Sequence, residues 1–319
     1  MEKILVTGCS GFIGMHLCER LLKNKYAVHG IDNLEGHYDI SLKKERLNNL
    51  LYSKNFSFKK TDITSLSDTE TEFKNFKPDK VVNLAAKAGV RKSLKIPQSY
   101  VQTNINGFIN VVESCINFNV DSLIYASSSS VYGANNKIPF STSDRTDRPI
   151  SIYAATKKAN ELIASTYNHL YSLKTTGLRF FTVYGPWGRP DMAMYIFAEK
   201  IWKNEKIPLF NHGNSYRDFT YIDDIVDGIQ SSLKHNYLNE VFNLGNNKSE
   251  NIMDVIRIME KELGRKAKIS FMDIQPGDVE KTFANIDYEK EKLNYNPKTS
   301  ITIGIEKFIK WFKSYHSIV

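Results

Sequence analysis

From residue 1 to about 180 the chain alternates short apolar runs with longer segments whose apolar positions recur at helical spacing. The runs are Ile4 to Thr7, Ala27 to Ile31, Phe56 to Lys60, Lys80 to Leu84, Leu123 to Ala126 and Thr176 to Phe180. Strands of this kind must be covered on both faces, and the helices between them do the covering. The pattern predicts an α/β fold with a doubly wound parallel sheet, whose ligands bind at the carboxyl ends of the strands. Beyond residue 183 the alternation loosens. Gly185-Pro186-Trp187-Gly188-Arg189-Pro190 is loop chemistry, Met192 to Lys203 is helix-like, and a smaller mixed α/β C-terminal cap domain is expected. Glu240-Val241-Phe242-Asn243-Leu244-Gly245 reads as one more strand returning to the main sheet. The expected division is therefore 1–182 with 214–246 for the sheet domain, and 183–213 with 247–319 for the cap.

Directly after the first run stands Gly8-Cys9-Ser10-Gly11-Phe12-Ile13-Gly14, followed by Leu17, Leu21 and Leu22 on the same helical face as Ile13. A strand, a glycine turn and a helix in that order suit a dinucleotide. Gly8 permits the tight turn, Gly11 lets the backbone approach a pyrophosphate at the helix N-terminus, and Gly14 allows close packing of helix on sheet. Phe12 and Ile13 fall in the same turn and belong to the expected cofactor set. The second strand ends at Asp32, next to Asn33, where a carboxylate accepts hydrogen bonds from both hydroxyls of an adenosine ribose. A 2′-phosphate would be repelled there, which favours NAD over NADP. A plain turn role for Asp32 stays open, since Asp-Asn is good turn chemistry. Asp62, with Ile63 beside it after the third strand, can accept from the adenine amino group. Leu84, Ala85, Ala86 and Lys87, after the fourth strand, complete the expected lining.

Tyr153-Ala154-Ala155-Thr156-Lys157 puts a phenol and an ammonium on one face of a predicted helix. A free tyrosine titrates near about 10 and is a poor base at neutral pH unless positive charge stabilises its phenolate. Lys157 and an oxidised nicotinamide ring would supply that charge. The fifth strand runs out into Ser127-Ser128-Ser129-Ser130-Val131-Tyr132-Gly133, placing several hydroxyls where such a sheet presents its active site.

The glycine turn, the serine segment before Val131-Tyr132-Gly133 and the Tyr153 to Lys157 motif together resemble the extended short-chain dehydrogenase/reductases that act on nucleotide sugars. The resemblance covers nearly the whole chain. It implies a Rossmann sheet and a catalytic triad of Ser128, Tyr153 and Lys157. The segment Leu178 to Met192 is similar to the signature of UDP-glucuronate 4-epimerases, Arg217-Asp218-Phe219-Thr220-Tyr221-Ile222 resembles the stretch whose arginine binds the UDP diphosphate, and Gln275-Pro276-Gly277-Asp278 resembles a cap segment near the uridine. The implied reaction is NAD-dependent inversion at C4, from UDP-glucuronate to UDP-galacturonate through a 4-keto sugar. Arg189, Arg217 and Asp278 would then hold UDP, while Thr182, Ser129 and Ser130 hold the sugar carboxylate. Dehydratases and decarboxylases of this family carry an acid just before the Val-Tyr-Gly element, where this chain has Ser130. Asn83 and Lys87 stand where these epimerases more usually carry histidine and glutamine, which bears on cofactor affinity rather than on reaction type. Two other readings are a 4-epimerase of neutral UDP-hexoses or their N-acetyl forms, and a nonenzymatic NAD-binding sensor. Thr182 and the Gly-Pro-Trp-Gly-Arg-Pro loop favour glucuronate over the first, and the intact triad speaks against the second.

Composition narrows the picture further. With 319 residues, 41% hydrophobic and 24% charged, the chain has material for a large core. The net charge of +8 is spread along the sequence without a basic, aromatic-interleaved cluster, so no nucleic-acid partner is expected. No apolar run approaches the roughly 20 residues of a membrane span. Met1-Glu2-Lys3 leads straight into the first strand without signal-peptide character, so a cytoplasmic protein is expected. The three cysteines, Cys9, Cys18 and Cys115, lack metal-type spacing and are expected to be reduced and structural, with no metal site. Gln98 to Phe118 and Tyr153 to Tyr171 have helical patterning, and members of the family often pair two such helices across a homodimer.

Overall fold

The computed structural model describes residues 1–36, 38–274 and 280–318. Its strands in chain order are β1 Lys3–Thr7, β2 Ala27–Asp32, β3 Phe56–Lys60, β4 Lys80–Asn83, β5 Ser122–Ser128, β6 Lys174–Phe180, β7 Thr182–Tyr184, β8 Lys206–Leu209, β9 Tyr216–Arg217, β10 Phe219–Tyr221, β11 Asn239–Leu244, β12 Glu250–Asn251 and β13 Lys268–Phe271. The helices are α1 Phe12–Lys23, α2 Ile40–Leu51, α3 Leu66–Phe76, α4 Val90–Lys95, α5 Pro97–Val101, α6 Gly107–Asn117, α7 Ile152–Tyr171, α8 Ala193–Trp202, α9 Ile222–Leu233, α10 Ile252–Leu263, α11 Asp287–Leu293 and α12 Ile301–Tyr315.

Seven parallel strands form the main sheet in the order β3-β2-β1-β4-β5-β6-β11. Successive side chains of a strand point to opposite faces, and here both faces are covered. Ile4, Val6, Val82 and Ile124 enter one apolar cluster with α1, α9 and the cap. Leu5, Val81, Leu123 and Tyr125 enter a second, with α3, α6 and α7. The chain leaves β1 towards β2 and β3, then crosses to β4 on the other side. That reversal opens a crevice beyond the carboxyl ends of β1 and β4, where this topology binds ligands.

The crevice rim is pinned by polar side chains. Thr7 Oγ1 donates to Asn83 Oδ1 at 2.6 Å and accepts from the Ala85 amide at 3.0 Å, so Asn83 ties the end of β4 to the end of β1. The expected single helix from Gln98 to Phe118 is α5 and α6 joined by a π-turn at Gln102–Asn106. The wider turn places buried Asn104 so that it accepts from the Lys87 amide and donates to the Lys87 carbonyl, at 2.8 and 2.9 Å. Within segment 214–246, β11 extends the main sheet and α9 packs on α1, while β9 pairs with β12 and β10 with β7 in separate two-stranded sheets. No helix among the described residues is long and apolar enough to cross a membrane.

Glycine is required at two points of the first turn. Gly8 has φ +72°, and a Cβ there would stand 2.8 Å from the Ala85 amide nitrogen. A Cβ on Gly14 would stand 2.1 Å from the Gly8 carbonyl oxygen, so Gly14 makes room for the turn itself rather than for helix on sheet. Backbone cannot yield as a side-chain end can. Gly14→Ala is therefore expected to cost at least about 2 kcal/mol of stability, at the upper end of overpacking penalties, which a thermal melt of the purified variant measures.

Candidate functional site

A cavity of about 490 Å³ opens at the carboxyl ends of the main strands. At one end lies the glycine turn. The N-cap Gly11 offers no side-chain cap and the first turn of α1, where Phe12, Ile13 and Gly14 line the cavity, holds no acidic residue, so its amides have no side-chain compensation. That is an anion cradle. Asp32, 6% exposed, closes β2 with one oxygen accepting from the Ser10 amide at 3.2 Å and the other from the Leu34 amide at 2.8 Å. Lys43 Nζ stands 3.3 Å from the same carboxylate. Asp32 thus holds its own turn and still lines the cavity. Asp62 accepts from Asn33 Nδ2 at 2.9 Å and from Thr64, and lines the wall with Ile63. Leu84, Ala85, Ala86 and Lys87 form the opposite wall, where Lys87 Nζ pairs with Glu35 at 2.5 Å. Uncapped amides, a glycine-only turn and a carboxylate at the second strand end fit a dinucleotide.

At the other end the chain brings Ser128, Tyr153 and Lys157 to the same cavity. Ser151 caps α7 by accepting from the Ala154 amide at 3.1 Å, which starts the helix where Tyr153 and Lys157 face the end of β5. Burial pushes the Tyr153 phenol up, while its hydrogen bond with Ser128 and the positive charge of Arg189 pull it back. Lys157, expected together with an oxidised nicotinamide ring to supply such charge, donates its ammonium to the Ala126 carbonyl at 2.8 Å, and burial brings it down to about 8. Ser128 Oγ accepts from the Ser130 hydroxyl at 2.9 Å and from the Ser130 amide at 3.2 Å. Ser129, Ser130, Thr182, Arg189 and Arg217 line this end as well. Thr182 starts β7, its amide bonded to the Asp218 carbonyl at 3.0 Å. Arg189 forks onto both oxygens of Asp191 at 3.0 and 2.6 Å, and Arg217 Nη1 donates to the carbonyls of Tyr216 and Glu280 at 2.9 Å. Asp278, with the rest of Gln275-Pro276-Gly277-Asp278, lies outside the described residues.

Several wall residues carried no signal in the sequence. Glu35, Tyr38 and Lys43 reach the cofactor end from the loop after β2 and from α2. Arg46 and His16, just behind the wall, hold the carbonyls of Trp187, Gly188 and Pro186. Each sits in an ordinary helical pattern or loop, and its partners come from segments distant in sequence or from the loop after β2. Cys9, Cys18 and Cys115 are buried free thiols, and among the described residues no group of three or more His, Cys, Asp or Glu side chains is placed to hold a metal.

The chain matches the model of the NAD dependent epimerase/dehydratase family over residues 4–245. Protein CapI of Staphylococcus aureus is 47% identical over 98% of this chain and 99% of its own length. A UDP-glucuronate 4-epimerase of Thermodesulfobacterium geofontis is 45% identical, over 98% of this chain and 97% of its own. The crystal structure of UDP-glucuronic acid 4-epimerase from Bacillus cereus, in complex with UDP-glucuronic acid and NAD, superposes with a TM-score of 0.93 at 36% identity, covering 98% of this chain and 99% of that one.

The placement of Asp32 generates a direct test. Asp32→Ala removes a charged acceptor, a loss worth ~1.5–3 kcal/mol, so NAD affinity is expected to fall at least about tenfold and the preference over NADP to narrow. Calorimetric titration with each dinucleotide measures both. An unchanged NAD affinity would leave Asp32 with its turn role only.

Proposed function

The chain belongs to the NAD dependent epimerase/dehydratase family, and from that premise we propose that it interconverts UDP-glucuronate and UDP-galacturonate by inverting C4. The observation that carries this reading is the convergence, in one cavity, of Tyr153 and Ser128 with the hydroxyls of Ser129, Ser130 and Thr182 and the guanidinium groups of Arg189 and Arg217. Relatives named for the same reaction span almost this entire chain.

A sugar C4 carries no acidic hydrogen, so simple proton abstraction cannot invert it and the carbon must pass through a ketone. Bound NAD supplies the reversible hydride acceptor for that oxidation. Tyr153, as phenolate, takes the C4 hydroxyl proton, and Ser128 shares the hydrogen bond. An oxidised nicotinamide ring beside Tyr153 would add to the positive charge of Arg189 that the buried phenol needs. Lys157, held by the Ala126 carbonyl, would hold the cofactor ribose on the side of Tyr153. Arg189 and Arg217 keep the diphosphate in place while the ketosugar turns over and presents its other face. Guanidinium forks match phosphate oxygens in pairs, which suits anchors that must not let go mid-cycle.

In the 4-keto sugar the carboxylate is β to the ketone, and carbon dioxide leaves if that bond aligns with the carbonyl π system. Donors from Thr182, Ser129 and Ser130 keep it out of alignment. The acid used by dehydratases is absent at Ser130. Homodimerisation belongs to the same reading: α7 carries Leu162, Leu170 and Tyr171 outward, more than half exposed, and such apolar side chains suit a paired helix face.

Two substitutions test the chemistry. Tyr153→Phe keeps the ring and removes the titrating hydroxyl, so turnover of UDP-glucuronate is expected to drop at least about a hundredfold with NAD retained. Near-normal turnover, followed by NMR of the product stereochemistry, would remove Tyr153 from the reaction. Thr182→Val keeps shape and deletes a donor whose bond to a carboxylate is worth about 1.5–3 kcal/mol. It is expected to raise UDP-4-keto-pentose and carbon dioxide relative to epimer, and to weaken UDP-glucuronate more than UDP-glucose. An unchanged product ratio with uniformly lower activity towards both sugars would make Thr182 purely structural.

A further inference from the structure

Arg46, on α2, is the largest fully buried side chain of the protein, 0% exposed. Its hydrogen-bond partners are three carbonyls and a phenol. Nε and Nη2 both donate to the Trp187 carbonyl, at 3.1 and 2.5 Å, and Nη2 also reaches Gly188 O at 3.1 Å. Nη1 donates to Tyr38 OH at 2.5 Å and to the carbonyl of Ser10, inside the glycine turn, at 3.4 Å. Burying a guanidinium is costly unless its donors are satisfied, and these bonds satisfy them with backbone from two distant loops.

The loop it grips is one that would not hold its shape alone. Trp187 has φ +61°, a left-handed conformation that a bulky residue adopts only when its surroundings enforce it. Enforcement comes from Arg46 on its carbonyl, from the rings of Trp311 and Tyr315 against its indole, and from His16 at the Pro186 carbonyl, 2.9 Å away. Burial drives His16 down to about 4, so it is a neutral donor at any working pH. The residue after Gly188 is Arg189, whose guanidinium enters the cavity.

We propose that Arg46 is a positioning residue that fastens the dinucleotide turn to the Trp187–Gly188 loop and, through that loop, sets the placement of Arg189 on the UDP diphosphate. The inference rests on the diphosphate role given to Arg189 above. Lysine cannot replace the fork, because one ammonium reaches one carbonyl where the guanidinium spans three.

The test uses the NAD-loaded full chain and UDP as the calorimetric probe, with Arg46→Lys, Arg189→Ala and the double variant. Arg46→Gln serves as a second, uncharged probe of the same bonds. Expected are a roughly tenfold loss of UDP affinity in Arg46→Lys, a tenfold higher KM for UDP-glucuronate with kcat within twofold, and faster amide exchange over residues 185–190. In the double variant the Arg46 change should add little to the Arg189→Ala loss, since both act through one contact. A folded Arg46→Lys protein with unchanged UDP affinity, while Arg189→Ala weakens UDP, overturns the proposal and leaves the function standing. Full additivity of the two changes overturns it as well. Unchanged UDP affinity in Arg189→Ala overturns the diphosphate role of Arg189 itself, and this proposal with it. If both Arg46→Lys and Arg46→Gln fail to fold, the residue supports the sheet rather than one loop, and the proposal falls.

Discussion

Beneath the serine end of the cavity, Glu161 and Arg179 form a buried ion pair on which the placement of Ser128, Tyr153 and Lys157 depends. Glu161 Oε1 accepts from Arg179 Nε at 2.8 Å and from Ser127 Oγ at 2.7 Å, and Oε2 accepts from Arg179 Nη2 at 2.9 Å. Arg179 Nη1 continues to Tyr132 OH at 3.0 Å, which donates to Asn243 Oδ1 at 2.6 Å. One network therefore joins α7, β5, the Ser129–Tyr132 turn, β6 and β11. Burial alone would raise Glu161, yet the Arg179 guanidinium holds it below the ordinary carboxylate range. Removing one partner of such a pair costs about 3–5 kcal/mol, although the intact pair adds little net stability over an apolar substitute. What it contributes is register. Tyr153 and Lys157 lie on the same helix as Glu161, and Ser128 follows Ser127 on the strand, so the phenol and the serine hydroxyl meet because Glu161 and Arg179 do.

Above that floor the cavity gathers positive charge. Arg189, Arg217, Lys157 and the uncapped N-terminus of α1 face a space that would otherwise be unfavourable for all of them. Burial alone brings the Lys157 ammonium down to about 8. Under the proposed function, an anionic cofactor and an anionic substrate are what this positive lining would hold. Arg189 meanwhile forks onto Asp191, which gives its buried charge a partner.

The Lys87 position shows how a departure from a family pattern is absorbed. The Lys87 ammonium finds Glu35 across the mouth of the cofactor end, and its backbone is clamped by Asn104 from the π-turn. The backbone that lines the cavity is thus fixed by Asn104 whatever side chain stands at this position. Asn83 behaves similarly, bonding Thr7 to join β4 to β1.

Whatever depends on neighbours along the chain was legible in the sequence. The buried parallel strands followed from uninterrupted apolar runs, the dinucleotide turn from glycines between a strand and a helix, and the shared face of Tyr153 and Lys157 from helical spacing. Those are local rules, set by sterics and periodicity within a few residues. The π-turn at Gln102–Asn106, the pairing of β9 with β12 and of β10 with β7, the charge of Arg189 beside Tyr153, and the burial of Arg46 were not legible. Each depends on groups brought together across the fold, as when Arg46 meets a carbonyl 141 residues away. A lone arginine in an amphipathic helix reads as a surface charge, and its burial becomes possible only when the carbonyls of Trp187 and Gly188, the glycine turn and Tyr38 meet around it.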